Sequence, residues 1–193
     1  MPFREPPPRA AWQHIDARRG FEVVFLRSGD RGYRLEGTTA AVEADEVWAV
    51  RYAIAVDARW QTVAADVDGR SGEGARAIAM GTDGRGRWQV DGRYLPELDG
   101  CMDVDLESSA FTNALPVHRL DLAVGDEAAA PAAYVRAVDL SVGRLEQRYL
   151  RLPDRSGRER YRYSAPSFGF ECELVYDASG VVVDYPGIAT RVA

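Results

Sequence analysis

Hydrophobic and polar residues alternate along most of this chain, and the alternation is the main structural signal in the sequence. Side chains of a β-strand point to opposite faces in turn, so a period of two indicates strands with one buried face. In the first half the candidate strands are Phe21–Arg27, Tyr33–Val42, Val47–Val56, Trp60–Val67, Ala75–Thr82 and Arg87–Val90. In the second half they are Met102–Leu106, Val117–Leu122, Tyr134–Val138, Leu145–Arg151, Arg158–Ser164, Phe170–Tyr176 and Val181–Tyr185.

Glycine-containing pairs separate many of these segments. Asp-Gly and Ser-Gly pairs supply the positive φ that tight hairpin turns require. They are Asp68-Gly69, Asp83-Gly84, Asp91-Gly92, Ser156-Gly157 and Ser179-Gly180, and Asp30-Arg31-Gly32 is similar. The best helical candidate is short, Ser108–Leu115, with Pro116 ending it. Short strands at regular spacing predict a mainly β fold built as an antiparallel sheet, barrel or roll.

The chain length of 193 residues suits a single domain over residues 1–193. We expect residues 1–11, which include three consecutive prolines, to be a loosely ordered segment. No stretch reaches the ~20 apolar residues that a membrane-spanning helix needs. The N-terminus also lacks the apolar core of a secretory signal. We therefore expect a cytoplasmic protein without an integral membrane segment.

Composition narrows the possible chemistry further. All 24 Lys+Arg positions are arginine, so the chain has no side-chain amine for a Schiff base or a phosphate-binding loop. Pyridoxal-phosphate enzymes, class I aldolases, Walker-type NTPases and protein kinases are thereby disfavoured. The net charge of −6 argues against a nucleic-acid partner. We expect no cofactor and no metal, and the distant Cys101 and Cys172 are expected to be free thiols.

Small residues share one face of several successive strands. In Val47–Asp57, bulky side chains occupy the even positions, and the odd positions carry three alanines together with Arg51. One interpretation is that the small face lets a helix or a second sheet pack closely. In the other, it leaves room for an apolar ligand on the concave side of a curved sheet, with Arg51 near a polar head group. The pattern alone favours the first interpretation.

The densest polar segment contains Asp103, Asp105, Asn113 and Arg119. Asp103 and Asp105 project to the same side of a strand, where two carboxylates can act as acid and base or bind a hard cation. Alternatively they pair with Arg119 or cap a turn. Asn113 is the only asparagine, and its amide suits a ligand hydroxyl or a turn. Arg119 suits either a head group or an ion pair.

Two aromatic or imidazole side chains have competing interpretations. His118 lies in the same polar segment, next to Arg119, but a lone histidine is more often structural than catalytic. Tyr161 lies in Arg160-Tyr161-Arg162-Tyr163, where tyrosine and arginine alternate. Tyr161 could stack on a sugar ring of a ligand, whereas an ordinary strand would simply place tyrosine in the core and arginine in water.

Several long motifs are more specific than any single residue. They are Gly-Arg-Trp-x-Val-Asp-Gly at 86–92, Leu-Asp-Gly-Cys-x-Asp-Val-Asp-Leu at 98–106, Thr-Asn-x-Leu-Pro-Val-x-Arg-Leu at 112–120 and Val-Asp-Tyr-Pro-Gly-Ile-x-x-Arg at 183–191. An N-terminal motif, Trp12-x-x-x-Asp16-x-Arg18-x-Gly20-Phe21-Glu22, also fits. With these motifs the chain resembles the bacterial glycolipid-binding family from about Trp12 to Arg191. The resemblance implies one large curved antiparallel sheet, a β-roll or open half-barrel, with a short helical segment on its concave side.

Two functional hypotheses follow. The resemblance implies a non-catalytic binding protein whose partner is a lipid or glycolipid-like amphiphile, with Arg51, Asp103, Asp105, Asn113, Arg119 and Tyr161 as candidate ligand-binding residues. The alternative is a small-molecule enzyme that uses Asp103, Asp105 and Arg119, with His118 as a further candidate. The second hypothesis requires that these side chains meet in one solvent-connected pocket.

Overall fold

The computed structural model of the chain describes residues 3–193 and contains a 14-stranded sheet, a 3-stranded sheet and one short α-helix. The strands of the large sheet are β1 Arg9–His14, β2 Arg19–Gly29, β3 Gly32–Glu43, β4 Glu46–Asp57, β5 Thr62–Ser71, β6 Gly74–Thr82, β7 Trp88–Val90, β8 Arg93–Tyr94, β10 Glu127–Ala129, β13 Arg148–Arg155, β14 Arg158–Ala165, β15 Phe170–Tyr176, β16 Val182–Tyr185 and β17 Ala189–Arg191. The small sheet comprises β9 Asp103–Leu106, β11 Ala132–Val135 and β12 Val142–Leu145. Helix α1 is Ala114–Leu120, and the 3-10 turns are Pro96–Leu98, Phe111–Asn113 and Pro166–Phe168.

The large sheet is antiparallel throughout and remains open. Its strand order is β10-β13-β14-β15-β16-β17-β1-β2-β3-β4-β5-β6-β7-β8, so β8 and β10 form its two edges. The first and last strands, β1 and β17, pair in the middle of the sheet. The prediction of a mainly β fold with one large antiparallel sheet and a short helix is therefore confirmed.

The concave side of the sheet is filled by an inner layer, which we define as β9, the 3-10 turn Phe111–Asn113, α1, β11 and β12. In the small sheet, β9 pairs in parallel with β11, and β11 pairs antiparallel with β12. Large side chains from the sheet pack against the inner layer and are fully buried, among them Trp12, Trp48, Trp88, Tyr52, Tyr149 and Tyr176. The core thus lies between the sheet and the chain segment that returns across it.

The small-residue face of β4 lies on the outer side of the sheet, and its large-residue face is buried. Trp48, Tyr52 and Ile54 point into the core, whereas Ala49 and Arg51 are exposed on the outer face. No described residue covers this outer face as a second layer. Both interpretations of the small-residue face are therefore wrong, because the large side chains supply the buried apolar area that stabilises the fold.

Two local predictions need correction. Helix α1 begins at Ala114, six residues later than the predicted Ser108, and Pro116 lies inside its first turn instead of ending it. Proline is tolerated there because the first N–H groups of a helix have no intrahelical acceptor. The predicted strand Val117–Leu122 is wrong, since the helix continues to Leu120 and ends at Asp121, whose φ is +42°.

Most of the predicted turns match the structure. Asp91-Gly92 and Ser156-Gly157 have positive φ at both residues and join adjacent antiparallel strands. Asp68-Gly69 instead lies within β5, where Asp68 pairs with Arg51 across the sheet. A Cβ on Gly69 would lie about 3.0 Å from Leu140, so this glycine permits close packing instead of a turn.

Part of the N-terminal segment contacts the rest of the fold. Within residues 1–11, Met1 and Pro2 lie outside the described residues. Arg9 begins β1, Ala10 and Ala11 are buried, and the Phe3 ring packs against His118. Cys101 and Cys172 are both free thiols, as the sequence predicted.

Candidate functional site

A pocket of about 230 Å³ remains between the inner layer and the concave side of the sheet. Its polar lining residues are Arg18, Glu43, Asp105, Glu107, Ser109 and Asn113. Its aromatic lining residues are Tyr134, Tyr163, Phe168, Phe170 and Tyr185. Ala17 and Phe168 are exposed at its mouth, so the pocket opens to solvent. Polar and aromatic side chains therefore line one space between the two layers of the fold.

Beneath the pocket, a buried carboxylate joins the two layers. Glu22 on β2 is fully buried and accepts hydrogen bonds from Tyr52 Oη (2.6 Å), Ser109 Oγ (2.5 Å) and the Ala110 N–H (2.8 Å). Burial raises the pKa of Glu22, and the three donors oppose that rise. These bonds connect the sheet to the turn that carries Asn113, so they fix the floor of the pocket.

Gly37 on β3 gives Tyr52 the space to reach Glu22, and this leads to a stability prediction. A Cβ on Gly37 would lie 2.1 Å from the Tyr52 ring, so Gly37→Ala must displace that ring. We expect Gly37→Ala to lower the free energy of unfolding by about 1–3 kcal/mol, as measured by urea denaturation. Gly81→Ala is the matched control, because a Cβ on that strand glycine would meet no atom within 4 Å. Equal stability of the two variants would contradict the packing argument.

Asp105 is the central acidic group of the pocket. It is 7% exposed, and Thr112 Oγ1 donates to its Oδ1 at 2.8 Å. Among the described residues, no arginine or histidine forms an ion pair with it. Burial raises the pKa of Asp105 to about 6, Thr112 opposes this rise, and the charges of Asp103 and Glu107 add to it. The pocket therefore holds a carboxyl that changes charge just below neutral pH.

Asn113 contributes a donor to the same pocket. Its Oδ1 accepts a hydrogen bond from Tyr149 (2.9 Å), and its main-chain carbonyl accepts one from Tyr176 (3.1 Å). These two bonds fix the side chain, which is 3% exposed. None of the hydrogen bonds among the described residues uses its Nδ2 as a donor, and the residue lines the pocket. The fixed amide is thus an available donor for a ligand oxygen.

Arg18, the one cation among the described residues that line the pocket, is already engaged. One guanidinium nitrogen donates to the Glu107 carbonyl, and Nε lies 3.3 Å from Glu43 Oε2, a distance suited to charge pairing. The guanidinium also lies 5.4 Å from the centre of the Trp48 ring. Since Glu43 offsets its charge, Arg18 leaves Asp105 and Glu107 without a cationic partner.

Aromatic rings form the opposite wall. Tyr163, Phe170 and Tyr185 lie within about 6 Å of one another, with centroid distances of 6.0–6.2 Å. Tyr134 from β11 approaches Phe168 at 5.4 Å across the mouth. Small-molecule pockets are commonly lined by aromatic side chains together with a few fixed polar groups.

Asp103 and Arg119 form a closed ion pair outside the pocket. Arg119 Nε donates to Asp103 Oδ1 at 3.0 Å, and Nη2 lies 2.5 Å from Oδ2. Asp103 is 1% exposed and Arg119 16%. The structure therefore does not bring Asp103, Asp105 and Arg119 together in one pocket, which removes the geometric basis of the enzyme hypothesis.

Two other candidates lie away from the pocket. Arg51 is 74% exposed on the outer face, paired with Asp68. Tyr161 is buried in the core, donates to Glu159, and packs edge-on against Tyr149. The ordinary-strand interpretation of Tyr161 is thus the correct one, because strand alternation puts it inside.

His118 belongs to the core and not to the pocket. It stacks on Trp60 at 3.8 Å, and burial lowers the pKa of His118 to about 4. A neutral, stacked imidazole fits the structural interpretation of His118.

Of the predicted residues, only Asp105 and Asn113 line the pocket. Arg18, Tyr134, Tyr163 and Tyr185 also line the pocket, although none of them was predicted as a ligand-binding residue. Arg18 lies within the N-terminal motif, and Tyr163 follows Tyr161 by two positions on the same inward face. These signals were available, whereas only the fold shows that Tyr134 on β11 and Tyr163 on β14 line the same pocket.

The fold and the pocket together define a class of open antiparallel sheet proteins with a small internal pocket. Comparison with known families identifies the family. The model described as "Putative glycolipid-binding" matches residues 9–191, and the chain belongs to this family. The resemblance noted in the sequence is confirmed.

Two solved structures are similar to this chain. A DUF1089 family protein from Pseudomonas aeruginosa shares 33% identity, with 94% of this chain and 95% of that chain covered and a TM-score of 0.77. A β-barrel-like protein of the domain family DUF1849 from Brucella abortus shares 10% identity, with 98% and 95% covered and a TM-score of 0.54, which bears on the fold alone. No curated protein matches the chain.

Two further observations restrict the site. Within residues 3–193, no group of three or more His, Cys, Asp or Glu side chains is placed to hold a metal ion. None of the helices described has the length and apolar character needed to cross a bilayer.

Proposed function

We propose that the chain is a non-catalytic binding protein for an amphiphilic ligand of the glycolipid type, and that the ligand's head group occupies the pocket between the inner layer and the sheet. The observation that carries this proposal is the pairing of a fixed polar wall, with Asp105 and Asn113, and an aromatic wall that includes Tyr163 and Tyr185. Hydroxyl groups can bond the polar wall while a sugar ring stacks on the aromatic one.

The size of the pocket restricts what part of the ligand it holds. Its volume of about 230 Å³ lies below the roughly 300–1,000 Å³ of pockets that enclose drug-sized ligands. It therefore suits one ring-sized head group, and a hydrocarbon tail would leave through the mouth beside Phe168. This assignment differs from the sequence hypothesis, which put the tail on the small-residue face of β4.

Narrowing the mouth tests where the ligand binds. Ala17 is exposed and lines the pocket, so Ala17→Trp should reduce binding of n-octyl glucoside at least tenfold by isothermal calorimetry. Ala49→Trp is the matched control, because Ala49 is also an exposed alanine but lies on the outer face. Unchanged affinity in Ala17→Trp would show that the ligand binds elsewhere.

Gentle purification followed by native mass spectrometry provides an independent test. We expect a bound amphiphile to appear as a mass adduct on the wild-type chain and to be weaker on Ala17→Trp. Absence of any adduct, together with no thermal shift across a panel of lipids and alkyl glycosides, would contradict the proposal.

A further inference from the structure

The acidic groups of the pocket lack a cation of their own. Asp105 and Glu107 line it and neither forms an ion pair with a described residue. Glu107 accepts a hydrogen bond from the Ala137 N–H (2.8 Å), and Asp105 accepts one from Thr112. Both bonds come from neutral donors. With Arg18 offset by Glu43, the pocket has an excess of negative charge at neutral pH.

A buried carboxylate without a cation is costly, so a ligand that supplies the missing charge gains affinity. A metal ion is a poor match, because the described residues provide no set of three ligating groups. An organic ammonium is a better match. It can lie between a carboxylate and aromatic rings, and both attract it.

A second polar group defines the ligand further. Asn113 is 3% exposed and lines the pocket, its amide is fixed by the bond from Tyr149, and its Nδ2 donates none of the hydrogen bonds among the described residues. An ammonium cannot accept this hydrogen bond, so the ligand needs an oxygen beside its amine. Phosphate, sulfate and carboxylate head groups would instead be repelled by Asp105 and Glu107.

We propose that the head group bound in this pocket carries a protonated amine beside hydroxyl oxygens, as in an amino sugar, with the amine against Asp105 and a hydroxyl against Asn113. This inference rests on the proposed function, since it specifies the head group of the same amphiphile. The Tyr163, Phe170 and Tyr185 rings then contact the face of the sugar.

The test compares three ligands that differ at one substituent. n-Octyl glucosaminide, its N-acetyl derivative and n-octyl glucoside share a ring and a tail, but only the first carries a positive charge. At neutral pH and below the concentrations at which they form micelles, calorimetry should give about tenfold tighter binding for the glucosaminide than for either neutral ligand. Free glucosamine, which lacks the tail, should bind more weakly than its octyl glycoside.

Asp105→Asn supplies the decisive variant, because it keeps the shape of the side chain and removes its charge. The preference for the amine should disappear, so that the glucosaminide and n-octyl glucoside bind Asp105→Asn with equal affinity. Glu97→Gln is the matched control, since Glu97 is an exposed carboxylate outside the pocket, and it should leave the preference unchanged.

The possible failures are distinguishable. Equal binding of the glucosaminide and the glucoside to the wild-type chain would overturn the amine assignment and leave the proposed function standing. A preference that survives in Asp105→Asn would overturn the role of Asp105. If no octyl glycoside binds, the proposed function and this inference both fail. Free glucosamine binding as tightly as its octyl glycoside would support the amine and contradict the amphiphile.

Discussion

The variant Arg119→Met is expected to lower the free energy of unfolding by roughly 3–5 kcal/mol. Arg119 forms a bidentate ion pair with Asp103. The Asp103 side chain is 1% exposed and has no other ion-pair partner among the described residues. Methionine retains much of the side-chain volume but leaves the carboxylate buried without a counter-charge. Urea denaturation at neutral pH, followed by tryptophan fluorescence, measures the loss.

Two further variants separate charge from packing. Arg51→Met removes an arginine from the exposed pair with Asp68 and should cost less than about 1 kcal/mol, as surface ion pairs usually do. The double variant Asp103→Leu with Arg119→Met replaces both charges by apolar groups and should recover most of the stability. A cost for Arg119→Met no larger than that for Arg51→Met would show that the buried pair is not a structural requirement.

The sequence predicted the sheet well because the signal for a strand is local. Alternation in Val47–Val56 identifies β4 without any knowledge of its neighbours, and the φ requirements of Asp91-Gly92 identify a turn in the same way. The outward direction of the small-residue face follows from the requirement to bury Trp48 and Tyr52. That requirement was visible in the sequence, but the location of the concave side was not.

The site was less predictable because candidate residues with the same sequence surroundings differ only in the side chains that they contact in the fold. Asp103 and Asp105 share one strand and one side, yet Arg119 pairs with the first and leaves the second facing the pocket. The predicted strand over Val117–Leu122 placed Arg119 wrongly, and only helix α1 brings it back to Asp103. The aromatic wall combines the consecutive strands β14, β15 and β16 with β11, which belongs to the other sheet, and local alternation does not predict that meeting.

As the pH rises from about 4 to about 7, the free energy of unfolding of the wild type is expected to fall by about 3 kcal/mol relative to that of Asp105→Asn. In the folded chain burial raises the pKa of Asp105 from 3.8 to about 6. Between these values the folded state binds more protons than the unfolded state, so the stability of the wild type falls as pH rises. The size follows from 1.36 kcal/mol for each pH unit between the two pKa values.

Asparagine does not titrate, so Asp105→Asn should lack this fall and be the more stable protein at neutral pH. Other buried acids such as Glu22 contribute equally to both proteins and cancel in the difference. Chemical denaturation at several pH values measures it, and a difference that is independent of pH would contradict the assignment. Saturating n-octyl glucosaminide should stabilise the wild type more than Asp105→Asn at neutral pH, because a bound ammonium supplies the charge that the ionised carboxylate lacks.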